Sequence, residues 1–553
     1  MKKIIFLIIY SITYFHGYSQ TPGRYRISFT DKNNSKYSLE KPSEFLSSKA
    51  ISRRNTQKIE FSLQDLPVNS WYIDSVLYYG AKHCNTSKWF NSAIFIVDST
   101  TNYNKIETLP FVKSIERVAP IFEAEKENAI LQSEPLSPLE YSNITNTNPE
   151  EFYGKSYNQI ALMNGIGLHK DGFMGQDMTI AVIDAGFLHA DSVTAFSHIW
   201  KQNRFLYIKD FTGNNSDLFT EGYHGMAVLS LIGGFIPGKL VGTAPRANFM
   251  LLRTEEGKTE YRVEEDNWAA AAEFADSAGV DIISTSLGYS TFDDSTQNYV
   301  YEQLDGNTTR ITIAADIAAS KGILLCNSAG NSGDKAWKYI TAPADADSVI
   351  TVGACFANGT ITSFSSLGPT AKGTIKPDVI TLGYKPSVVR PNGLIKNESM
   401  GTSFSNPILA GMAACLWQEY PRVSSQQIKQ AIIASSSLYY MPNNTEGYGI
   451  PNFEKARYIL KMNLLETIFS NAKLYPNPFG NNLKLRVESE SDAVIGITMY
   501  DTMGVKKLDI TIEIPTLINE MDIPEVSNLA PGVYITVLSF GKQHQVNKLV
   551  KSE

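Results

Sequence analysis

The chain has 553 residues, of which 43% are hydrophobic, 11% aromatic and 19% charged. This length predicts about three or four structural parts, and the composition excludes wholesale disorder. Lys and Arg number 49 against 56 Asp and Glu, for a net charge of −7. No basic cluster is longer than a pair, so no nucleic-acid partner is expected.

The first residues have the pattern of an export signal. Lys2 and Lys3 precede an apolar run over residues 4–15, and Gly17-Tyr18-Ser19 offers a small-x-small cleavage site. This pattern predicts a secretory signal peptide over residues 1–19, against the alternative of a buried strand or helix. The run is too short to cross a bilayer and no later segment is long enough, so no transmembrane segment is predicted. The mature protein is expected to be soluble or attached to a surface.

Residues 20–125 alternate apolar stretches with one helical pattern, which predicts a small α+β unit. Its predicted elements are strands at 25–29 and 93–97 and a helix near 73–79. The adjacent Arg53 and Arg54 are interpreted as a solvated helix face rather than a processing site. Residues 126–157 begin with many Pro, Asn, Ser and Thr residues and are predicted to be a linker or processing region.

In residues 158–465, short apolar runs alternate with helical patterns, which predicts βαβ units and a parallel sheet flanked by helices. In such sheets, ligands and chemistry gather at the carboxyl ends of the strands. The predicted strands lie at 179–183, 248–252, 280–284, 322–326, 349–352 and 378–382, and the helices at 226–233, 268–278 and 311–320.

Residues 470–553 change again to period-two alternation with turns at Pro-Asn-Pro, Met-Gly and Pro-Gly, which predicts a small all-β sandwich. The predicted strands are 483–487, 495–500 and 533–539.

No cofactor and no metal site are predicted. The four cysteines are widely scattered without CxxC spacing, and Cys326 and Cys355 lie in buried strand patterns that favour core thiols. Because the protein is expected to be exported, the sequence leaves open whether these two cysteines form a disulfide. Asp293, Asp294 and Asp305 lie in a polar insertion and are interpreted as solvated loop acids rather than calcium ligands.

Two candidate reacting residues lie at strand–helix junctions. Asp184 ends a predicted strand, where a carboxylate can remain half-buried and orient a histidine. His224 precedes Gly225 and an apolar helix, so packed backbone holds the base and glycine leaves room for substrate. Taken alone, the Asp is more often a turn cap and the His a partly exposed residue near a helix cap.

Two further candidates follow in the chain. Ser403 stands at the start of a predicted helix, whose N–H groups stabilise negative charge. Asn331 follows another apolar strand, where its amide can donate to a developing oxyanion. Alone, the Ser is a plain N-cap and the Asn a turn residue between glycines. The four residues form a specific signal only in combination, because they occur in the order Asp, His, Asn and Ser and each lies at a predicted strand–helix junction.

This region resembles the subtilase (S8) family of serine peptidases over about 300 residues. The resemblance is carried by Val182-Ile183-Asp184-Ala185-Gly186, His224-Gly225 and Gly401-Thr402-Ser403-Phe404-Ser405-Asn406-Pro407, with Gly242-Thr243-Ala244-Pro245, Ser286-Leu287-Gly288, Phe364-Ser365-Ser366-Leu367-Gly368-Pro369 and Lys376-Pro377-Asp378. The chain departs from the family at Ala185, where Ser or Thr is usual, and at Met226-Ala227, where Thr-His is usual.

The resemblance implies a secreted serine endopeptidase in which Asp184, His224 and Ser403 form the triad and Asn331 the oxyanion hole. Protein or peptide substrates would lie between the Ser286-Leu287-Gly288 segment and Ser328-Ala329-Gly330, so Ser286, Gly288 and Gly330 are predicted to bind substrate. Residues 20–125 hold the place of a subtilase prodomain.

The tail is similar to type IX secretion sorting domains, with Lys473-Leu474-Tyr475-Pro476-Asn477-Pro478-Phe479 at its start and a basic end. This resemblance implies export through the periplasm to the exterior or the cell surface, with the type IX machinery as a partner. Two rival hypotheses stay open: a binding protein on an inactive subtilase scaffold, and a processing enzyme dedicated to one partner.

Overall fold

The computed structural model describes residues 21–121, 147–213, 217–489, 493–514, 517–541 and 543–553. The predicted signal peptide, and residues 126–146 of the predicted linker, lie outside these ranges.

The N-terminal unit is a four-stranded antiparallel sheet in the order β2-β3-β1-β4, with helices on one side. Alternate residues of β1, Tyr25, Ile27 and Phe29, point into its core, as the period-two pattern predicts. The elements are β1 (Gly23–Phe29), α1 (Ser48–Thr56), α2 (Ser70–Tyr78), β2 (Lys82–Ser87), β3 (Ser92–Val97), α3 (Tyr103–Glu107) and β4 (Val112–Ala119).

The central unit is built on a seven-stranded parallel sheet in the order β13-β12-β11-β10-β5-β9-β6. Helices cover both faces, so its inner strands are buried throughout and consist largely of apolar residues. Its strands are β5 (Thr179–Asp184), β6 (Phe205–Asp210), β9 (Asn248–Arg253), β10 (Ile282–Thr285), β11 (Leu324–Ser328), β12 (Ile350–Cys355) and β13 (Val379–Leu382), with short hairpin strands β7 (Phe235–Ile236), β8 (Leu240–Val241), β14 (Val388–Val389) and β15 (Ile395–Lys396) elsewhere.

Two apolar cores lie on opposite faces of this sheet. One joins it to α8, α11, α12 and α13, and the other to α9 and α10. The helices are α4 (Pro149–Tyr153), α5 (Tyr157–Ala161), α6 (Ile166–Lys170), α7 (Ser197–Lys201), α8 (Tyr223–Gly233), α9 (Val263–Ala278), α10 (Arg310–Ser320), α11 (Thr402–Glu419), α12 (Ser425–Ser435) and α13 (Phe453–Asn471).

All six predicted strands of this sheet are present, with ends shifted by at most three residues. The edge strand β6 was not among them. Leu206, Tyr207 and Ile208 are exposed and β6 pairs only with β9, so no buried face marks this strand in the sequence.

The C-terminal unit has two antiparallel sheets, β16-β17-β20 and β19-β18-β21-β22, around one apolar core. The predicted fold class is therefore confirmed in its three parts. The strands are β16 (Lys473–Tyr475), β17 (Lys484–Ser489), β18 (Ala493–Tyr500), β19 (Lys506–Ile514), β20 (Leu517–Asp522), β21 (Gly532–Phe540) and β22 (Gln543–Lys551). Among the described residues, no helix has the length and apolar character needed to cross a membrane.

Candidate active site

Asp184 and His224 meet at the carboxyl edge of the parallel sheet. Asp184 is the last residue of β5 and is almost fully buried, whereas the His224 side chain, in the first turn of α8, is 40% exposed. His224 Nδ1 lies 3.0 Å from both carboxylate oxygens of Asp184. The backbone N–H of Ala185 also donates to Asp184 at 2.8 Å, so the carboxylate is held although no hydroxyl follows it.

Glycine makes the close approach of α8 to β5 possible. A Cβ on Gly225 would lie 2.2 Å from the Gly186 carbonyl oxygen and 2.9 Å from Cβ of Asp184. A Cβ on Gly222 would lie 2.4 Å from Cα of Gly186. Side chains at these positions would push the helix away from the strand and separate the histidine from the carboxylate.

The charge of Asp184 changes the titration of His224. Burial lowers the pKa of His224, but the negative charge and hydrogen bond of Asp184 and the charge of Glu255 outweigh it and raise this pKa above 6.5. The carboxylate therefore both orients the imidazole and stabilises its protonated form.

Ser403 stands in the first turn of α11, and its position depends on Ser286 and Pro407. Pro407 has no N–H to donate to the carbonyl of Ser403 four residues earlier, and the hydroxyl of Ser286 donates to that carbonyl instead, at 2.9 Å. In return, Ser403 Oγ donates to the Ser286 carbonyl at 3.2 Å. The serine thus bonds to the end of β10 rather than to His224 in this structure, and the ring of the next residue, Phe404, lies 5.7 Å from the His224 ring.

Asn331 is oriented by the residues before Ser403. Its Oδ1 accepts from Thr402 N at 2.9 Å and from Thr402 Oγ1 at 3.2 Å, and that hydroxyl in turn accepts from Gly330 N at 3.1 Å. Asn331 Nδ2 donates to no described residue. Among the described residues, the amide N–H groups of Asn331 therefore have no acceptor, which the predicted role of oxyanion donor requires.

The predicted substrate-binding residues differ in what their backbones offer. Gly288 N–H and C=O have no hydrogen-bond partner among the described residues, which leaves them available to an added strand. Gly330 is already bonded through both groups, since its carbonyl accepts from Ser366 N at 3.0 Å. It has φ +106°, and a Cβ there would lie 2.8 Å from Ser366 Oγ, so Gly330 shapes the wall rather than pairing along it.

Helix α9 binds the N-terminal unit through buried acids, which sequence reasoning missed. Its residues Asp266, Glu273 and Asp276 are buried. These three acids, together with the residues of the N-terminal unit that they contact, are here called the α9 interface. Asp266 accepts from Arg26 at 2.7 Å, and Glu273 accepts from the backbone N–H groups of Lys88 and Trp89.

Arg53 and Arg54 also belong to this interface, which corrects their interpretation as a solvated helix face. Both are buried. Arg53 lies 2.6 Å and Arg54 2.9 Å from the Asp276 carboxylate, and Lys88 Nζ lies 3.2 Å from it. Burial would raise the pKa of Asp276, but these three cations hold it below 3.8.

The buried positions of Cys326 and Cys355 agree with their interpretation as core thiols, and the structure also places the loop acids. All four cysteines are free, three of them buried. Asp293 is exposed, and Asp294 caps a short helix through Thr296 N. A different group of acids, Glu255, Glu260 and Glu264, was not singled out in the sequence; their carboxylate oxygens lie within 4.8 Å of one another.

Comparison with known families identifies a serine peptidase domain between two accessory domains. Residues 175–449 match the subtilase family. Residues 24–132 match the peptidase S8 propeptide domain of Bacteroidota, and residues 473–552 a secretion system C-terminal sorting domain. The sorting domain marks the chain for the cell surface or the exterior, as the sequence predicted.

Two curated relatives illustrate the extent of the similarity. The chain is 29% identical to serine protease AprX of Bacillus subtilis strain 168, over 47% of this chain and 61% of that protein. It is 25% identical to subtilisin NAT of Bacillus subtilis subsp. natto, over 54% and 70% respectively. The solved structure of the prenylagaramide maturation protease PagA covers 54% of this chain and 98% of its own, with 23% identity and a TM-score of 0.42.

Proposed function

We propose that this chain is a secreted serine endopeptidase that hydrolyses peptide bonds through an acyl-enzyme intermediate. Ser403 Oγ attacks the substrate carbonyl carbon while His224 takes its proton, and Asp184 holds the imidazole and stabilises its charged form. Asn331 Nδ2 and the Ser403 N–H bind the resulting oxyanion. His224 then protonates the leaving amine as the C–N bond breaks, and a water molecule releases the acyl group by the same steps.

One observation carries this proposal: the bond of His224 Nδ1 to both oxygens of the buried Asp184, 3.0 Å each, on the sheet edge that also bears Ser403 and Asn331. A scaffold retained only for binding would not require a half-exposed histidine on a buried carboxylate. The bond from Ser403 Oγ to the Ser286 carbonyl would have to be replaced by one to His224 when substrate binds.

Hydrolysis of denatured casein by the purified mature protein tests the activity. We expect cleavage by the wild type and by Ser320→Ala, since Ser320 is exposed on α10, and no cleavage by Ser403→Ala. Equal cleavage by Ser403→Ala would contradict the assignment. Failure of the wild type on casein, but not on one natural partner, would favour a dedicated processing enzyme.

We also propose the division of the chain into a propeptide (20–125), a processing segment (126–157), a peptidase domain (158–465) and a sorting domain (470–553). The propeptide would inhibit the enzyme until it is removed, and its buried ion pairs with α9 support this role. Intact mass and N-terminal sequencing of the secreted product should place the mature N-terminus within 126–157. A product that retains residues 20–125 would contradict the proposal.

We propose that residues 470–553 address the chain to the type IX secretion machinery and take no part in catalysis. Their own apolar core and their distance in sequence from the four candidate reacting groups support this. Deleting 470–553 should leave an active protease in vitro and strand it in the periplasm of its host. Normal export of the deleted form would contradict the proposal, as would its failure to fold.

A further inference from the structure

A fully buried asparagine lies near the start of α11, three residues after Ser403. Asn406 is 0% exposed, and its amide faces the carboxyl end of β10. It takes no part in the proposed mechanism. Burying an amide is costly, so a residue of this kind is expected to have a role that an apolar side chain could not fill.

The amide nitrogen of Asn406 holds the end of β10. Nδ2 lies 3.0 Å from the carbonyl oxygen of Thr285, 3.2 Å from Ser284 Oγ and 3.4 Å from Ser286 Oγ. A carbonyl oxygen only accepts hydrogen bonds, so the contact with Thr285 requires the nitrogen rather than the oxygen of the amide to face β10. The two N–H groups are therefore shared among three acceptors on successive residues.

The oxygen of the same amide is not satisfied. Asn406 Oδ1 is buried without a hydrogen-bond donor among the described residues. An unpaired buried acceptor destabilises a protein, whereas an apolar group of the same shape would not carry this cost. Asn406 therefore destabilises the fold through Oδ1, which indicates that its role lies with its donor groups.

Ser286 connects these donor groups to Ser403. The Ser286 hydroxyl donates at 2.9 Å to the Ser403 carbonyl, which has no helical donor because Pro407 lacks an N–H. A serine hydroxyl has a single hydrogen that rotates to suit its neighbours. An N–H of Asn406 that approaches Ser286 Oγ directs this hydrogen towards the Ser403 carbonyl, and bonds linked in this way strengthen one another.

We propose that Asn406 is a positioning residue that acts through Ser286 to fix the backbone of Ser403. The inference rests on the proposed function, in which Ser403 Oγ attacks the substrate and the Ser403 N–H binds the oxyanion. Without Asn406, the Ser286 hydroxyl would be free to rotate and the Ser403 peptide to move, so both groups would be misplaced. Misplacement of reacting groups lowers the rate of the chemical step more than substrate affinity.

Steady-state kinetics of the purified mature enzyme on a peptide substrate tests this inference. Asn406→Leu keeps the branched shape of the side chain but removes its donors, and it should lower kcat about tenfold with little change in KM. The matched control is Thr381→Val, because the Thr381 hydroxyl donates to the carbonyl of Ser405 on the same helix, at 2.8 Å, rather than to β10. We expect Thr381→Val to lower the Tm and to leave kcat nearly unchanged.

A double-mutant cycle separates positioning through Ser286 from a general loss of packing. In the Ser286→Ala enzyme, adding Asn406→Leu should lower kcat by at most about twofold, because the connection to Ser403 is already broken. An equal fall in both backgrounds would overturn the inference. So would an unchanged kcat in Asn406→Leu, an effect confined to KM, or an equal fall in Thr381→Val.

Two further outcomes are distinguishable from these. If Asn406→Leu and Asn406→Ala both failed to fold, Asn406 would hold the fold rather than the serine, and the inference would be wrong. An inactive wild type would contradict the proposed function itself, and this inference with it.

Discussion

The α9 interface and the carboxyl edge of the parallel sheet that bears Asp184, His224 and Asn331, here called the active-site edge, are both rich in polar groups. They differ in how many of these groups have hydrogen-bond or ion-pair partners. At the interface, Asp276 contacts three cations, and Glu273 accepts two backbone N–H groups. At the edge, Asn331 Nδ2 and Gly288 have no partner among the described residues. The satisfied carboxylates hold the propeptide on the enzyme, whereas the unsatisfied groups at the edge are those that a substrate or transition state would use. Changes at the edge should therefore affect rate, and changes at the interface stability.

The largest effect separating the two regions is expected at Asn331. Asn331→Ala should lower kcat by about 10²–10³-fold with little change in KM, because its hydrogen bond strengthens only as the oxyanion forms. Steady-state kinetics on a peptide substrate would measure this, with the free energy of unfolding expected to stay near that of the wild type. An effect confined to KM would mean that Asn331 is a substrate contact or a turn residue.

A second substitution should show the reverse pattern at the α9 interface. Asp276→Asn removes the carboxylate that Arg53 and Lys88 contact and leaves Arg54 with Asp65 alone, which is expected to cost about 3 kcal/mol or more of the unfolding free energy of the Ser403→Ala full chain. Urea denaturation would measure this, with the exposed propeptide residue Asp74, changed to Asn, as the control. A loss no larger than that of the control would mean that the ion pairs contribute little.

Acid should loosen the interface in the same way. The pKa values of Asp266 and Asp276 are held below 3.8 by their basic partners, so their stabilisation is present above 3.8 and is lost as pH falls below it. Burial raises the pKa of Glu273 above 4.5, so its contribution runs in the opposite direction and is lost as pH rises. The urea midpoint should fall steeply below about 3.8, and less steeply in Asp276→Asn. Equal slopes would contradict this account.

The smallest expected effect is a shift in the pH dependence of kcat/KM, which depends on His224 at the active-site edge. Imidazolium cannot accept the serine proton, so kcat/KM should fall as pH drops through the pKa of His224 in the free enzyme. Since Asp184 and Glu255 raise this pKa, the midpoint of the acid limb should lie above 6.5. A midpoint at or below 6.5 would mean that burial outweighs the carboxylates.

The difference between the regions also explains what the sequence could predict. Strands such as β5 are buried on both faces and therefore appear as apolar runs, which allowed most of the sheet to be predicted to within three residues. Asp184 ends such a run and Asn331 follows one, whereas His224 and Ser403 begin apolar helices. Their order along the chain, rather than any one of them alone, singled the four out. Their roles stay predictions until they are measured.

The α9 interface could not be predicted in this way, and neither could the grouping of Glu255, Glu260 and Glu264. Arg54 and Asp276 are 222 residues apart in the chain, and nothing local distinguishes a buried, paired arginine from a solvated one. Glu255, Glu260 and Glu264 likewise look like ordinary acids of a polar loop. Only the packing of that loop against α9 and the propeptide removes them from water.

Covalent labelling of the native enzyme tests the central claim, that Ser403 is the nucleophile, most directly. A fluorophosphonate should add once per molecule, and mass spectrometry of the digested protein should find the adduct on Ser403 alone. Labelling should vanish in Ser403→Ala and fall sharply in His224→Ala, because the hydroxyl is weakly nucleophilic without its base. An adduct on a different serine, or labelling undiminished in Ser403→Ala, would contradict the account.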